Sequence, residues 1–135
     1  MYTHETKVRV RYAETDKMGF VYYGNYPAYY EVARVEGFRA LGFPYKEMED
    51  AGVGMPVLTM SIKYHGPAKY DDLLSLKLII PEMPRARMTF QYEIRNEEGQ
   101  LVNTGVTVLA FMNMETGRPV KMPARMAELI SPFFE

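Results

Sequence analysis

The stretch Tyr12-Ala-Glu-Thr-Asp-Lys-Met-Gly-Phe-Val-Tyr-Tyr-Gly-Asn-Tyr-Pro-Ala-Tyr-Tyr-Glu-Val-Ala-Arg34 decides how this chain is read. It divides into three parts. A strand ends near Tyr12. A polar turn follows, with Glu14, Thr15 and Asp16 ahead of Gly19. Asn25 then stands where a helix N-cap belongs, before a helix-compatible run that stops ahead of Gly42. A carboxylate is thus placed a few residues before a helix start. Helix-start N–H groups favour developing negative charge, and a nearby carboxylate can attack a carbonyl or direct a water at it.

Upstream of this stretch, Val8, Val10 and Tyr12 alternate with Lys7, Arg9 and Arg11, the period of a half-buried strand. Downstream, the helix from about Asn25 to Leu41 tolerates Pro27 in its first turn, where the missing N–H has no intrahelical partner. Ala33, Gly37 and Ala40 form a small-residue stripe on it that lets a helix lie close to a sheet. Gly37 costs about 1 kcal/mol of helix propensity against Ala. Gly42 suits the C′ position. Pro44 to Ala51 predicts a short second helix ending at Gly52.

From Pro56 the period changes to two. Leu58, Met60, Ile62 and Tyr64 mark one strand, and Leu74, Leu76, Leu78 and Ile80 a second. Met88, Phe90, Tyr92 and Ile94 mark a third, followed by a hairpin loop at Asn96-Glu97-Glu98-Gly99. Leu101 to Asn113 is apolar at positions of both parities, which predicts a strand covered on both faces. Thr116-Gly117 turns the chain, and Pro123 to Ile130 predicts a short terminal helix. Strand, long helix, then four strands implies an α+β arrangement, an antiparallel five-stranded sheet wrapped around one central helix. Such a sheet leaves an edge and part of a face in need of cover.

The totals narrow the function. The 135 residues suit one domain spanning 1–135, and 47% apolar content supports a core. A net charge of −1 gives no general field for nucleic acid. Without cysteine there is no disulfide, thiol nucleophile or thiolate metal site, which fits a reducing compartment. The N-terminal residues lack the apolar segment of a signal peptide, and no run approaches a membrane span, so a cytoplasmic protein is expected. Eleven Met and eleven Tyr are read chiefly as core filler. Only His4 and His65 are present, the first expected in a loose end and the second at a strand end. So placed, they argue against a metal site. No Gly-x-Ser-x-Gly is present, which removes the serine elbow.

Asp16-x-x-Gly19-x-Val21-Tyr22-Tyr23-x-Asn25-Tyr26, followed by Glu31-x-Ala33-Arg34, resembles the signature of the 4-hydroxybenzoyl-CoA thioesterase family, a branch of the hotdog-fold acyl-CoA thioesterases. A second patch, Pro67-Ala68-x-Tyr70-Asp71-Asp72, is also family-like. Many members carry His where this chain has Tyr23; others, the 4-hydroxybenzoyl enzymes among them, carry Tyr. The resemblance implies a hotdog fold and hydrolysis of an acyl-CoA thioester to free acid and coenzyme A. It also implies a homodimer, or a homotetramer, with a continuous sheet and active sites between subunits. No cofactor is implied beyond the coenzyme A of the substrate.

The same resemblance makes Asp16 the catalytic carboxylate and the N–H of Tyr23, with Gly24 beside it, the oxyanion site. Read from the residues alone, Asp16 is first a turn-forming Asx residue, a balance that the resemblance reverses, and Tyr23-Gly24-Asn25 is equally an ordinary capped helix start. Asn25 caps the helix, orients the loop, or does both. Glu14 is taken as solvent-facing or supporting. Tyr22, Tyr26, Tyr29 and Tyr30 are pocket or packing residues. Arg85 and Arg87, two apart after Pro84, are placed to grip coenzyme A phosphates or to form a solvated turn. Lys63, Lys69 and Arg118 are further candidates. Glu31 and Arg34 are spaced to pair. Two other readings compete: a hotdog hydratase or dehydratase of acyl thioesters, and an acyl-CoA binder without catalysis.

Overall fold

The computed structural model describes residues 1–135. Strand β1 (Tyr2–Arg9) turns every second side chain inward from Tyr2 to Val8. His4 lies within it, opposite Leu78, so it does not belong to a loose end. The strand stops at Arg9, short of the expected Tyr12. Its partner strand begins at Leu73, opposite Arg9, and the ladder runs out there. Tyr12 instead opens a 3-10 turn, Tyr12–Glu14, and is exposed.

Helix α1 (Tyr26–Leu41) ends where Gly42 adopts φ 99°, a left-handed conformation that glycine reaches without Cβ strain. The short α2 (Tyr45–Asp50) and β2 (Val53–Gly54) follow. Then come β3 (Val57–Tyr64), β4 (Leu73–Ile80), β5 (Arg87–Arg95) and β6 (Leu101–Ala110). The chain finishes through β7 (Met112–Asn113), which pairs with β2, and α3 (Ala124–Ile130).

The main sheet has five antiparallel strands in the order β1-β4-β5-β6-β3. Helix α1 packs on β1 and β4 and sends rings to β5: Tyr30 stacks on Tyr92 at 4.1 Å and Phe38 meets Phe90 edge-on at 5.8 Å. Close approach needs missing side chains on both sides. A Cβ on Gly37 would collide with Leu78, and one on Gly105 of β6 with the Tyr30 hydroxyl. Each fully buried side chain of the Leu or Phe kind in this layer contributes about 1.5–3 kcal/mol. The expected stripe is shorter than read, because Ala40 is exposed.

Two further expectations are corrected. Strand β6 is not covered on both faces. A register shift opposite Ile94 and Arg95 buries the consecutive residues Val102 and Asn103, after which only odd positions face the core. Arg34 does not pair with Glu31. It is only 7% exposed and points into the core, where Nη1 donates to the Tyr92 hydroxyl at 2.9 Å. Burial pushes the Tyr92 phenol up, and Arg34 opposes that shift.

Strand β3 lies outside the cover of α1. It has one strand neighbour, and Val57, Leu58, Met60 and Tyr64 are exposed along it. It is the unfinished edge that the element order implied.

Candidate active site

The polar turn folds back on itself. Residues 14–16 pair antiparallel with 20–22 through the bridge Thr15–Val21. The Asp16 N–H donates to Phe20 O at 2.7 Å, and the Tyr22 N–H to Glu14 O at 2.9 Å. Gly19, at φ 82°, closes the bend. The Asp16 carboxylate sits at its tip, half-buried. Its Oδ1 accepts the N–H of Met18 at 2.8 Å and of Phe20 at 3.2 Å, while Oδ2 accepts none. Asp16 is therefore an Asx residue by one oxygen and free for chemistry by the other.

The second family-like patch holds this hairpin in place. The Val21 N–H donates to Ala68 O at 2.8 Å, and Phe20 bridges to Lys69. Asp72 caps its own turn by accepting the Lys69 N–H at 2.9 Å, and its carbonyl accepts the Val10 N–H. Pro67 to Asp72 thus serves as a frame for the Asp16 turn.

Tyr23–Asn25 forms a 3-10 turn leading into α1. Its side chain does not cap the helix: Asn25 Nδ2 donates to Glu14 O at 2.8 Å, so Asn25 orients the loop. The Asn25 N–H donates to Tyr22 O at 2.9 Å. Between these two anchored residues, the loop and cap hydrogen bonds include none from the N–H of Tyr23 or Gly24. A Cβ on Gly24 would come within 2.7 Å of the Tyr22 ring as it stands. The Tyr64 hydroxyl, at the end of β3, donates to Tyr23 O at 3.2 Å.

Glu14 is the residue sequence reasoning undervalued. It is not solvent-facing; its side chain is 14% exposed. Oε1 accepts the Arg11 N–H at 2.8 Å and the Tyr29 hydroxyl at 2.9 Å, and Oε2 accepts Arg11 Nε at 3.0 Å and Nη2 at 2.8 Å. Burial raises its pKa, but the bonds from Arg11 and Tyr29 outweigh that and hold the carboxyl below its ordinary value. Burial, with the Glu14 bond second, pushes the Tyr29 phenol well above its own. Burial and the neighbouring Tyr64 push Tyr26 up to about 12. The local signal of Glu14 is its three-residue spacing from Arg11, which supplies three of the four carboxylate donors; the bond from Tyr29 is made only by tertiary folding.

Arg85 and Arg87 are exposed before and at the start of β5. A cavity of about 650 Å³ is lined by Arg85, Ala86, Pro119, Val120, Lys121 and Met122, which adds Lys121 to the basic residues there. Arg87 pairs with Ala110 and Val57 with Leu109, at one end of the sheet, whereas Tyr64 pairs with Asn103 at the other. Seven strand steps separate those ends, about 23 Å at 3.3 Å each. Asp16, Tyr23 and Gly24 lie on one continuous folded segment, the hairpin 14–22 and the 3-10 turn that follows it; the two arginines lie at the other end of the sheet. Tyr22 and Tyr23 are exposed beside the turn, while Tyr26, Tyr29 and Tyr30 are packing residues. His65 accepts or donates at Thr104 Oγ1 over 2.8 Å, as a strand-end residue. No group of three His, Cys, Asp or Glu side chains converges as a metal site would.

Residues 10–130 match the model of the thioesterase-like superfamily. Acyl-CoA thioester hydrolase YbgC of Escherichia coli is 33% identical over 118 residues, which are 87% of this chain and 84% of that protein. The 4-hydroxybenzoyl-CoA thioesterase of a Pseudomonas species is 27% identical over 132 residues, 91% of this chain and 94% of that one. The crystal structure of a DHNA-CoA thioesterase from Staphylococcus aureus superposes with a TM-score of 0.94 at 35% identity, covering 99% of this chain and 92% of that one. In sequence motif, sheet order and overall superposition alike, this chain belongs to the thioesterase-like superfamily and has its hotdog fold.

Proposed function

We propose that this protein hydrolyses an acyl-CoA thioester to a carboxylic acid and coenzyme A. The observation that supports this reading is an Asp16 with one carboxylate oxygen free on a hairpin that leads straight into a turn whose Tyr23 and Gly24 N–H groups are unengaged. Asp16 acts as nucleophile on the thioester carbonyl carbon, forming an acyl-aspartyl anhydride that water then hydrolyses to the free acid, or as the base that takes a proton from a water attacking that carbon directly. The two N–H groups stabilise the oxyanion that forms. Coenzyme A leaves as a thiolate, since a thiol of pKa about 8.5 needs no strong acid. No metal or redox cofactor is called for. The names of the relatives support the same substrate class.

The site is proposed to be completed by a second copy. Two chains paired antiparallel along β3 about a twofold axis would continue the sheet and cover its exposed apolar edge. The same axis sets the Arg85 and Arg87 end of one chain beside the Asp16 end of the other. Those arginines, with Lys121, would then hold the phosphates of a coenzyme A whose thioester lies at the partner's carboxylate. No helix is long and apolar enough to cross a membrane, and the absence of cysteine fits a cytoplasmic site of action.

Thiol release across a panel of aromatic, short-chain and medium-chain acyl-CoAs tests the reading. Asp16→Asn keeps size and most hydrogen bonds but removes the charge. Its kcat should fall about 10²-fold or more while substrate binding survives. Near-normal turnover by a folded Asp16→Asn protein would defeat the mechanism. Tight acyl-CoA binding without thiol release by the wild type would make it a binder, and turnover of a 2-enoyl thioester without thiol release a hydratase.

A further inference from the structure

We infer that Glu14 is a positioning residue of this site, an anchor that ties the Asp16 turn and the Tyr23–Gly24 donors into a common geometry. The inference rests on the hydrolytic reading of those groups. Its basis is a count of what one residue holds. Four donors converge on the Glu14 carboxylate: the Arg11 N–H, both forks of the Arg11 guanidinium, and the Tyr29 hydroxyl. Two more converge on its carbonyl: the Tyr22 N–H at 2.9 Å and Asn25 Nδ2 at 2.8 Å.

The two carbonyl donors matter most. Tyr22 and Asn25 stand immediately before and after Tyr23–Gly24 in the chain. Tying both to one oxygen brackets the two free N–H groups and sets the direction in which they point. The carboxylate end fastens the same residue to Tyr29, which is 2% exposed on the first turns of α1. Asp16 follows two residues later, across the Thr15–Val21 bridge. A shift at Glu14 therefore moves carboxylate and oxyanion donors relative to each other.

Two other roles for Glu14 are weaker. As a base it would need an unoccupied oxygen facing substrate, yet each of its oxygens already accepts two donors, whereas Asp16 Oδ2 accepts none. As a plain surface ion pair with the exposed Arg11 it would matter little. The bonds to Tyr29, Tyr22 and Asn25 reach beyond that pair, and charge-assisted bonds to a shielded carboxylate are the stronger kind.

The test measures thiol release by Glu14→Gln, Tyr29→Phe, the double variant and Asp16→Asn, with folding checked by circular dichroism. In Glu14→Gln an amide NH2 meets donors where an oxygen stood. Its kcat should fall about 10-fold with KM little changed, inside the range that ångström-scale misplacement costs. Tyr29→Phe should lower kcat about 3-fold, the scale of one hydrogen bond. The double variant should be no slower than Glu14→Gln, because the Tyr29 hydroxyl acts through Glu14. Wild-type kcat in folded Glu14→Gln, a loss confined to KM, or multiplicative losses in the double variant would each overturn the inference. Should Glu14→Gln fail to fold, Tyr29→Phe decides, and an unchanged kcat there overturns it. An active Asp16→Asn would instead defeat the hydrolytic reading itself, whatever Glu14 does.

Discussion

The Tyr64 hydroxyl donates to the Tyr23 carbonyl oxygen, so the outer strand β3 touches the Tyr23–Asn25 turn. That carbonyl shares a peptide plane with the Gly24 N–H. A donor at its oxygen fixes the plane and polarises the N–H at the other side. Tyr64 is steadied in turn by Tyr26, whose ring lies edge-on at 5.6 Å.

Tyr64→Phe should therefore keep the ring contact, lose the hydroxyl bond and lower kcat about 3-fold with an unchanged KM. Steady-state thiol release measures this. A Phe variant at the full wild-type rate would show that the Gly24 peptide needs no help from β3.

Assembly along β3 predicts that the smallest folded species is a dimer, alone or paired into a tetramer. Sedimentation at low micromolar concentration checks it. Leu58→Lys, a charge on the exposed edge, should shift the protein toward monomer and reduce turnover in step. A folded, fully active monomer would sink this assembly.

Arg85 and Arg87 changed together to Ala should raise KM for acyl-CoA more than they lower kcat, because a remote phosphate contact is nearly equal in ground and transition states. High salt should raise the wild-type KM as well. Mixing this double variant with Asp16→Asn chains gives a sharper outcome. If each site draws arginines from one chain and the carboxylate from the other, one of the two sites in a mixed dimer is intact, and activity at low substrate should rise above that of either parent. Mixing without recovery would place both functions within one chain.

Glu14 makes stability depend on pH in a definite direction. Its folded carboxyl titrates below the ordinary value. The stability it contributes is complete above that ordinary value and is lost as pH falls through the lower, folded one. Urea midpoints followed from about pH 6 to about pH 3 should fall, and the fall should be shallower in Glu14→Gln. Equal slopes would mean that Glu14 titrates alike in folded and unfolded chains.

Much of the fold was legible because it is local. Alternation marked β5, and Gly42 marked the end of α1 where φ is indeed 99°. Tyr12 misled because an exposed tyrosine continues an apolar pattern as well as a buried one does. The burial of Arg34 was available from spacing: it falls on the inner stripe with Tyr30, Ala33, Gly37 and Phe38. An i,i+3 partner at Glu31 offered a simpler local account, and tertiary packing overrode it. The Asx turn at Asp16 was legible from Asp16-x-x-Gly19. The bonds from Tyr29 to Glu14 and from Asn25 to the Glu14 carbonyl were not legible, because only folding brings those groups near, whereas the other three donors on the Glu14 carboxylate come from Arg11, three residues before it.

The sheet order β1-β4-β5-β6-β3 has a kinetic consequence. The three middle strands are consecutive in the chain and joined by short connections, so they can assemble at small loop entropy. The outer two arrive from the first half of the chain, Tyr2 closing on Ile80 and Val57 on Leu109. On loop entropy, contacts made by β1 and β3 should form after the rate-limiting step, so that weakening them should speed unfolding more than it slows folding. The Asp16 turn hangs between these two strands. It should therefore be among the first regions to open, with its geometry lost before the β4–β6 meander gives way.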